Sequence, residues 1–141
     1  MTNNELFEVI AARMFSKCLE AHPVGVDFEF HTLAYEATPG NEDGDLQGRA
    51  TDVARGTFRW LEREGYIYVG GVDEYLSEGL VSARDVSLTG RALAVLNAVP
   101  DVLQERKPIK DRILGAVRSG SVTAMQEAVK QLIGVAAGAA F

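Results

Sequence analysis

Between residues 46 and 69 the hydrophobic period changes from helical to strand-like across a single glycine. Ala50, Val53, Ala54, Thr57, Trp60 and Leu61 fall on one helical face, and Arg55, Arg59 and Arg63 repeat at i, i+4 and i+8 on the opposite one. Gly65 stands where a helix that ends in the left-handed conformation needs a residue without a Cβ. Tyr66-Ile67-Tyr68-Val69 follows with β-forming side chains. The junction predicts a helix over residues 46–65 that feeds directly into a strand, and so an α+β chain. Gly70-Gly71 is expected to close that strand as a turn pair. A loop carrying Asp73, Glu74 and Glu78 would then lead to a second short strand, Asp85-Val86-Ser87-Leu88.

The flanking segments supply the rest of the core. Residues 4–21 form a helix with Leu6, Phe7, Ile10, Ala11, Met14 and Cys18 on one stripe. Val9, Phe15 and Leu19 lie off it, so this helix is either central in the fold or shared with a partner. His22-Pro23 ends it. Residues 24–30 alternate Val26, Phe28 and Phe30 against Asp27 and Glu29, the period of a half-buried strand. A short helix at 32–37 and a Gly- and Pro-punctuated loop at 38–45 come next. Thr89 is placed to cap a helix carrying Leu93, Leu96 and Val99, which Pro100 ends or kinks. Beyond Lys107-Pro108, two amphipathic helices follow, one with Ile109, Ile113, Leu114 and Val117, the other with Val122, Met125, Val129, Leu132 and Ile133. A chain of 141 residues has the length of one domain and can build a core without metal or disulfide.

The segments Arg59-Trp60-Leu61-Glu62-Arg63-Glu64-Gly65-Tyr66-Ile67 and Val86-Ser87-Leu88-Thr89-Gly90-Arg91-Ala92-Leu93, a hairpin's length apart, carry a resemblance. With the element order around them they resemble the winged helix-turn-helix domain of bacterial regulators, from the end of its recognition helix to its strand-to-helix exit. The resemblance covers about residues 5–103. It implies a mostly helical α+β fold with a two-stranded wing hairpin and a candidate third strand. The expected organisation is a winged-helix-like domain over 1–104 and a C-terminal helical extension over 105–141. It also implies that the helix at 46–64 is the one that would enter a DNA major groove.

Charge bears on that implication. The net charge is −6 and the sequence pI about 4.9. Between residues 18 and 48 the only charged side chains apart from histidine are Glu20, Asp27, Glu29, Glu36, Glu42, Asp43 and Asp45. Arg49, Arg55, Arg59 and Arg63 are the candidate contacts to nucleic acid or to a partner. The base-reading end of such a helix, however, carries Asp52 and follows the acidic loop, and the wing is acidic too. Carboxylates beside phosphates oppose binding rather than release counterions. The reading is therefore a noncatalytic module that binds another protein or itself. A DNA-binding transcriptional regulator using the 46–64 helix is the alternative.

No catalytic set is legible. Cys18 and His22 are four residues apart, but Pro23 disfavours helix geometry at His22 and no oxyanion-hole motif accompanies them. One cysteine and two histidines, the second being His31, are too few for a transition-metal site. Asn41 to Asp52 imitates calcium-loop spacing, but Leu46 occupies the position of the loop glycine. No phosphate-binding glycine motif occurs. The expectation is no enzyme activity, no cofactor and no metal. Phe28, Phe30, Phe58, Trp60, Tyr66 and Tyr68 read as core and sheet residues rather than base-stacking ones. The N-terminus lacks a signal peptide's basic start and apolar core, and no apolar run reaches membrane-spanning length, which together with the lone cysteine suggests a cytoplasmic protein. Residues 107–141, with Lys107, Lys110, Arg112 and Arg118, offer a weaker case for contact with a membrane surface. A homo-oligomer, most simply a dimer, is expected through Met125, Val129, Leu132 and Ile133.

Overall fold

The structure is a computed structural model that describes residues 1–40, 43–100 and 106–139. These form α1 (Asn3–Ala21), β1 (Val26–Glu29), α2 (Phe30–Ala37), α3 (Gly44–Arg63), β2 (Ile67–Tyr75), β3 (Gly79–Leu88), α4 (Gly90–Leu96), α5 (Ile109–Ser119) and α6 (Val122–Ala139). The strands make one antiparallel sheet in the order β1-β3-β2.

The first helix is central. Leu6, Val9, Ile10, Ala11, Ala12, Met14, Phe15 and Cys18 are all buried, and α1 packs against α2, α3, α5 and α6. Its apolar residues off the main stripe are thus explained by its own chain. Thr2 starts the helix with a capping box, its hydroxyl accepting from the Glu5 N–H and the Glu5 carboxylate accepting from the Thr2 N–H. Aromatic rings tie α1 to the helix–strand junction. Phe7 meets Trp60 edge-on at 5.2 Å, Trp60 lies 5.8 Å from Tyr66, and Phe15 meets Tyr66 edge-on at 6.1 Å.

Gly65 acts as the sequence predicts. At φ +77° it lets its N–H donate to Glu62 O and the Tyr66 N–H donate to Leu61 O, which turns the chain out of α3. Thr89 then joins this turn to the next helix. Its hydroxyl donates to Gly65 O at 2.5 Å and accepts from the Ala92 N–H, while its own N–H donates to Tyr66 O.

The hairpin is longer than the sequence suggests. Tyr66–Val69 and Asp85–Leu88 do pair, with Ile67 opposite Leu88 and Val69 opposite Val86. However, Gly70-Gly71 is no turn: β2 runs on through both glycines, and Asp73 and Glu74 are strand residues. The reason lies on the facing strand. Asp85 sits at φ +53°, where β3 slips register against β1, and its N–H donates to Asp27 Oδ1 at 3.0 Å. A Cβ at Gly70 would fall 2.7 Å from Asp85 Cβ, and one at Gly25 would collide with Asp85 Oδ1. The glycines mark close strand approach rather than a bend. One smaller correction accompanies this. Phe30 opens α2 instead of ending the strand, while Tyr68 is a sheet residue as expected, with its side chain exposed.

The C-terminal helices share the core of the rest. Ile109, Ile113, Met125, Val129 and Leu132 belong to the same hydrophobic cluster as α1. The expected boundary at residue 104 lies outside the described residues. Glu8 is an exception to the apolar character of this interface. It is almost wholly covered, and burial raises its pKa; Lys130 on α6 opposes that rise, while Glu5 and Glu127 add to it.

Two expectations follow. Thr89→Ala loses a helix cap and leaves Gly65 O without its donor, so it should lower unfolding free energy by about 2 kcal/mol in urea titrations. For Glu8, a raised folded-state pKa means that its contribution is full when protonated and is lost as pH rises through that pKa. Glu8→Gln should therefore melt above the wild type at neutral pH, and the gap should close as pH falls below the ordinary carboxylate range.

Candidate functional site

The exposed side of α3 and the hairpin make up the face that the sequence singled out, and α3 also forms a groove with α2. Asp43 starts α3 by accepting from the Asp45 N–H at 3.0 Å. From there the solvent side of α3 presents Asp45, Arg49, Asp52, Arg59, Glu62 and Arg63. Acid and base thus alternate along the face.

The four predicted arginines have different environments. Arg55 turns inward: its Nε donates to Leu80 O on β3 at 2.6 Å, and Nη1 pairs with Asp52 at 3.3 Å. It is a brace between helix and hairpin. Arg59 reaches across to Glu74 on β2 at 3.6 Å. Arg49 and Arg63 are exposed and make no ion pair among the described residues. The hairpin's own arginine, Arg84, pairs with Asp73 at 3.3 Å, and Ser82 also donates to that carboxylate. Sequence spacing finds the arginine stripe but not its acceptors, because Leu80 O and Glu74 come to it only through the fold.

The groove between α2 and α3 holds about 500 Å³ and is lined by His31, Tyr35, Gln47, Gly48, Thr51, Asp52 and Arg55. Tyr35 stands exposed on it. Gln47 Nε2 donates to the Thr38 hydroxyl at 2.6 Å, and that hydroxyl donates to Ala34 O, so one wall is held by buried hydrogen bonds. Glu29 caps α2. Burial acts to raise its pKa, but hydrogen bonds from the Thr32 hydroxyl and from the His31 and Thr32 N–H groups outweigh it and hold it low. A fixed negative charge therefore stands beside His31. Nothing in the sequence pattern pointed to Tyr35 or Gln47, whose importance depends on how α2 meets α3.

The remaining candidates separate. Cys18 is buried and its pKa is pushed up to about 12 by burial, while His22 is exposed beyond the end of α1. The two share a backbone hydrogen bond, His22 N–H to Cys18 O, and no thiolate–imidazole pair. Among the described residues no three His, Cys, Asp or Glu side chains gather as metal ligands. Of the calcium-like spacing, Asn41 and Glu42 lie outside the described residues, and the Asp43 side chain serves as a helix cap. Met125, Val129 and Leu132, expected as oligomer contacts, are covered by the chain's own helices and belong to its core; Ile133 alone is partly exposed. Apolar side chains needed to seal α1 cannot at the same time form free surface.

Taken together these features define an α+β protein with a helix–hairpin face on which Arg55, Arg59 and Arg84 are each paired within the chain. Comparison with family models, with curated proteins and with solved structures gives no match to the chain. Among the described residues no helix is long and apolar enough to cross a membrane.

The pairing has a measurable consequence. Arg55→Ala should lower unfolding free energy by about 2 kcal/mol, because a part-buried charged hydrogen bond to a backbone carbonyl is lost. Arg59→Ala, which breaks an exposed pair, should cost less than about 0.5 kcal/mol. Urea denaturation of the two variants side by side tests the contrast.

Proposed function

We propose that the chain is a noncatalytic winged-helix module that docks a protein partner on the α2–α3 groove and the exposed side of α3. The helix, strand, helix, helix, strand, strand order of α1 to β3 and the strand order β1-β3-β2 support the winged-helix part of this reading.

One observation carries the preference for a protein over DNA. The arginines that would meet phosphate at the middle of α3 are already engaged by Leu80 O, Asp52 and Glu74. The groove is lined by one carboxylate, Asp52, whose partner is Arg55, and presents an aromatic phenol, Tyr35. A phosphate backbone brought to this face meets Asp45 and Asp52 on either side of Arg49, so carboxylates flank the cation it would bind. An exposed tyrosine over a polar groove is the composition of a protein-docking anchor.

The second reading, a DNA-binding regulator, rests on Arg49 and Arg63, which are exposed on α3 and make no ion pair among the described residues. The two readings separate in a pair of experiments. Mixed-sequence duplex DNA should show no mobility shift at low salt. A photo-crosslinking residue placed at Tyr35 in source cells should capture a different protein. Tight, salt-sensitive duplex binding that disappears in the Arg49→Glu, Arg63→Glu double variant would establish the DNA reading instead.

A further inference from the structure

A cavity at the C-terminal end of α3 has no part in the docking face. It holds about 240 Å³ and lies where the end of α3, the turn into β2, the start of α4 and the last turns of α6 meet. Trp60 and Tyr66 give it an aromatic side, and Ile133, Ala136 and Ala137 of α6 give it an aliphatic one. Its polar groups are short of acceptors. Tyr66 is only 2% exposed, yet among the described residues its hydroxyl makes no hydrogen bond, and neither does the Trp60 indole N–H. Buried polar groups normally have partners, so the Tyr66 hydroxyl calls for one from outside the chain. The Arg91 guanidinium lies over the Tyr66 ring, 5.2 Å from its centroid. Its ion pair with Glu64, at 4.0 Å, is the longest among the described residues, and both side chains are about half exposed.

We propose that this cavity binds a small monocarboxylate carried on a single apolar ring. The carboxylate accepts from the Arg91 guanidinium, whose hold on Glu64 is loose, and from the Tyr66 hydroxyl, which has no other partner. The ring packs between the Trp60 and Tyr66 side and the α6 alanines. Size sets the body of the ligand. Sites for drug-sized molecules run to roughly 300–1,000 Å³, and this smaller one suits one ring. Charge sets the head group. Arg91 attracts an anion, while Glu64 beside it opposes a second negative charge on the same ligand, which disfavours phosphate. The bound molecule touches α3 and α6 at once and ties the end of one to the other. The cavity stands apart from the α2–α3 groove, so the docking reading and this one can fail separately.

Trp60 is the chain's one tryptophan, so its indole N–H signal in a nitrogen–proton correlation spectrum reports on this cavity alone. Titration of the full chain with benzoate as the probe should move that signal, with a dissociation constant of about a millimolar or tighter. Benzamide, which keeps the ring and loses the charge, and acetate, which keeps the charge and loses the ring, should each bind roughly tenfold more weakly or worse. Arg91→Gln should bring benzoate down to the level of benzamide. Tyr66→Phe should weaken benzoate by a factor of about three to ten. Because that hydroxyl has no partner in the free chain, the same change should leave the unfolding midpoint in urea where it is, which a merely structural tyrosine would not. Ala137→Leu, at the exposed rim, should block the cavity and abolish binding with far-ultraviolet circular dichroism unchanged. A Trp60 signal that benzoate leaves in place overturns the proposal. So does benzamide binding as tightly as benzoate, or benzoate binding that survives both Arg91→Gln and Ala137→Leu.

Discussion

At the middle of α1, Ala11 and Ala12 carry one methyl each and are wholly covered. Small side chains there let neighbouring backbones come close, and longer ones on either side, Leu6, Ile10, Met14 and Phe15, fill the space between. Helices from both ends of the chain rest on this one element: α2 and α3 from the N-terminal half, α5 and α6 from the C-terminal half. Because a close-packed interior transmits displacement, a shift of α1 would move the α3 face and the C-terminal pair together. The residues after 105 are therefore part of what holds α3 in place, more than an appendage to it. The Glu8 carboxylate is the weak point in that contact, a charge set where the fold prefers none.

The second organising feature is how the hairpin is fastened to α3. Arg55 carries the connection, because its guanidinium bonds a strand carbonyl and is partly shielded from water. The Arg59–Glu74 and Arg84–Asp73 pairs lie outside it in solvent and add little energy. Their effect is on charge. They set charge against charge between α3 and β2 and between the two strands of the hairpin.

Much of the local structure was legible because its cause is local. Gly65 stops a helix by conformation, Thr89 caps one by side-chain geometry, and the alternation around Phe28 marks a half-buried strand; each needs only its neighbours. The full length of the hairpin was not legible. Gly70-Gly71 has the composition of a turn, and its true cause is Asp85, fifteen residues away on the facing strand. The same limit governs the functional face. The arginine spacing is visible in sequence, but whether an arginine is free depends on a carbonyl at Leu80 or a carboxylate at Glu74 that only folding brings near. The apolar stripe with Met125, Val129 and Leu132 was correctly located, and its partner turned out to lie within the same chain.

The left-handed backbone at Asp85 binds three positions into one unit. Its side chain occupies room that both neighbouring strands leave by having no Cβ, at Gly25 on one side and Gly70 on the other. The backbone there suits glycine, asparagine or aspartate and little else. Related chains should consequently vary at these three sites in concert. Where position 85 becomes glycine, the closest contact at 25 and at 70 is removed, and what remains is backbone at 3.0 and 3.1 Å. Where it keeps a carboxylate, both stay bare. Such a correlated trio, far apart in sequence and with no role in binding, would mark descent from a common hairpin even after overall similarity has faded.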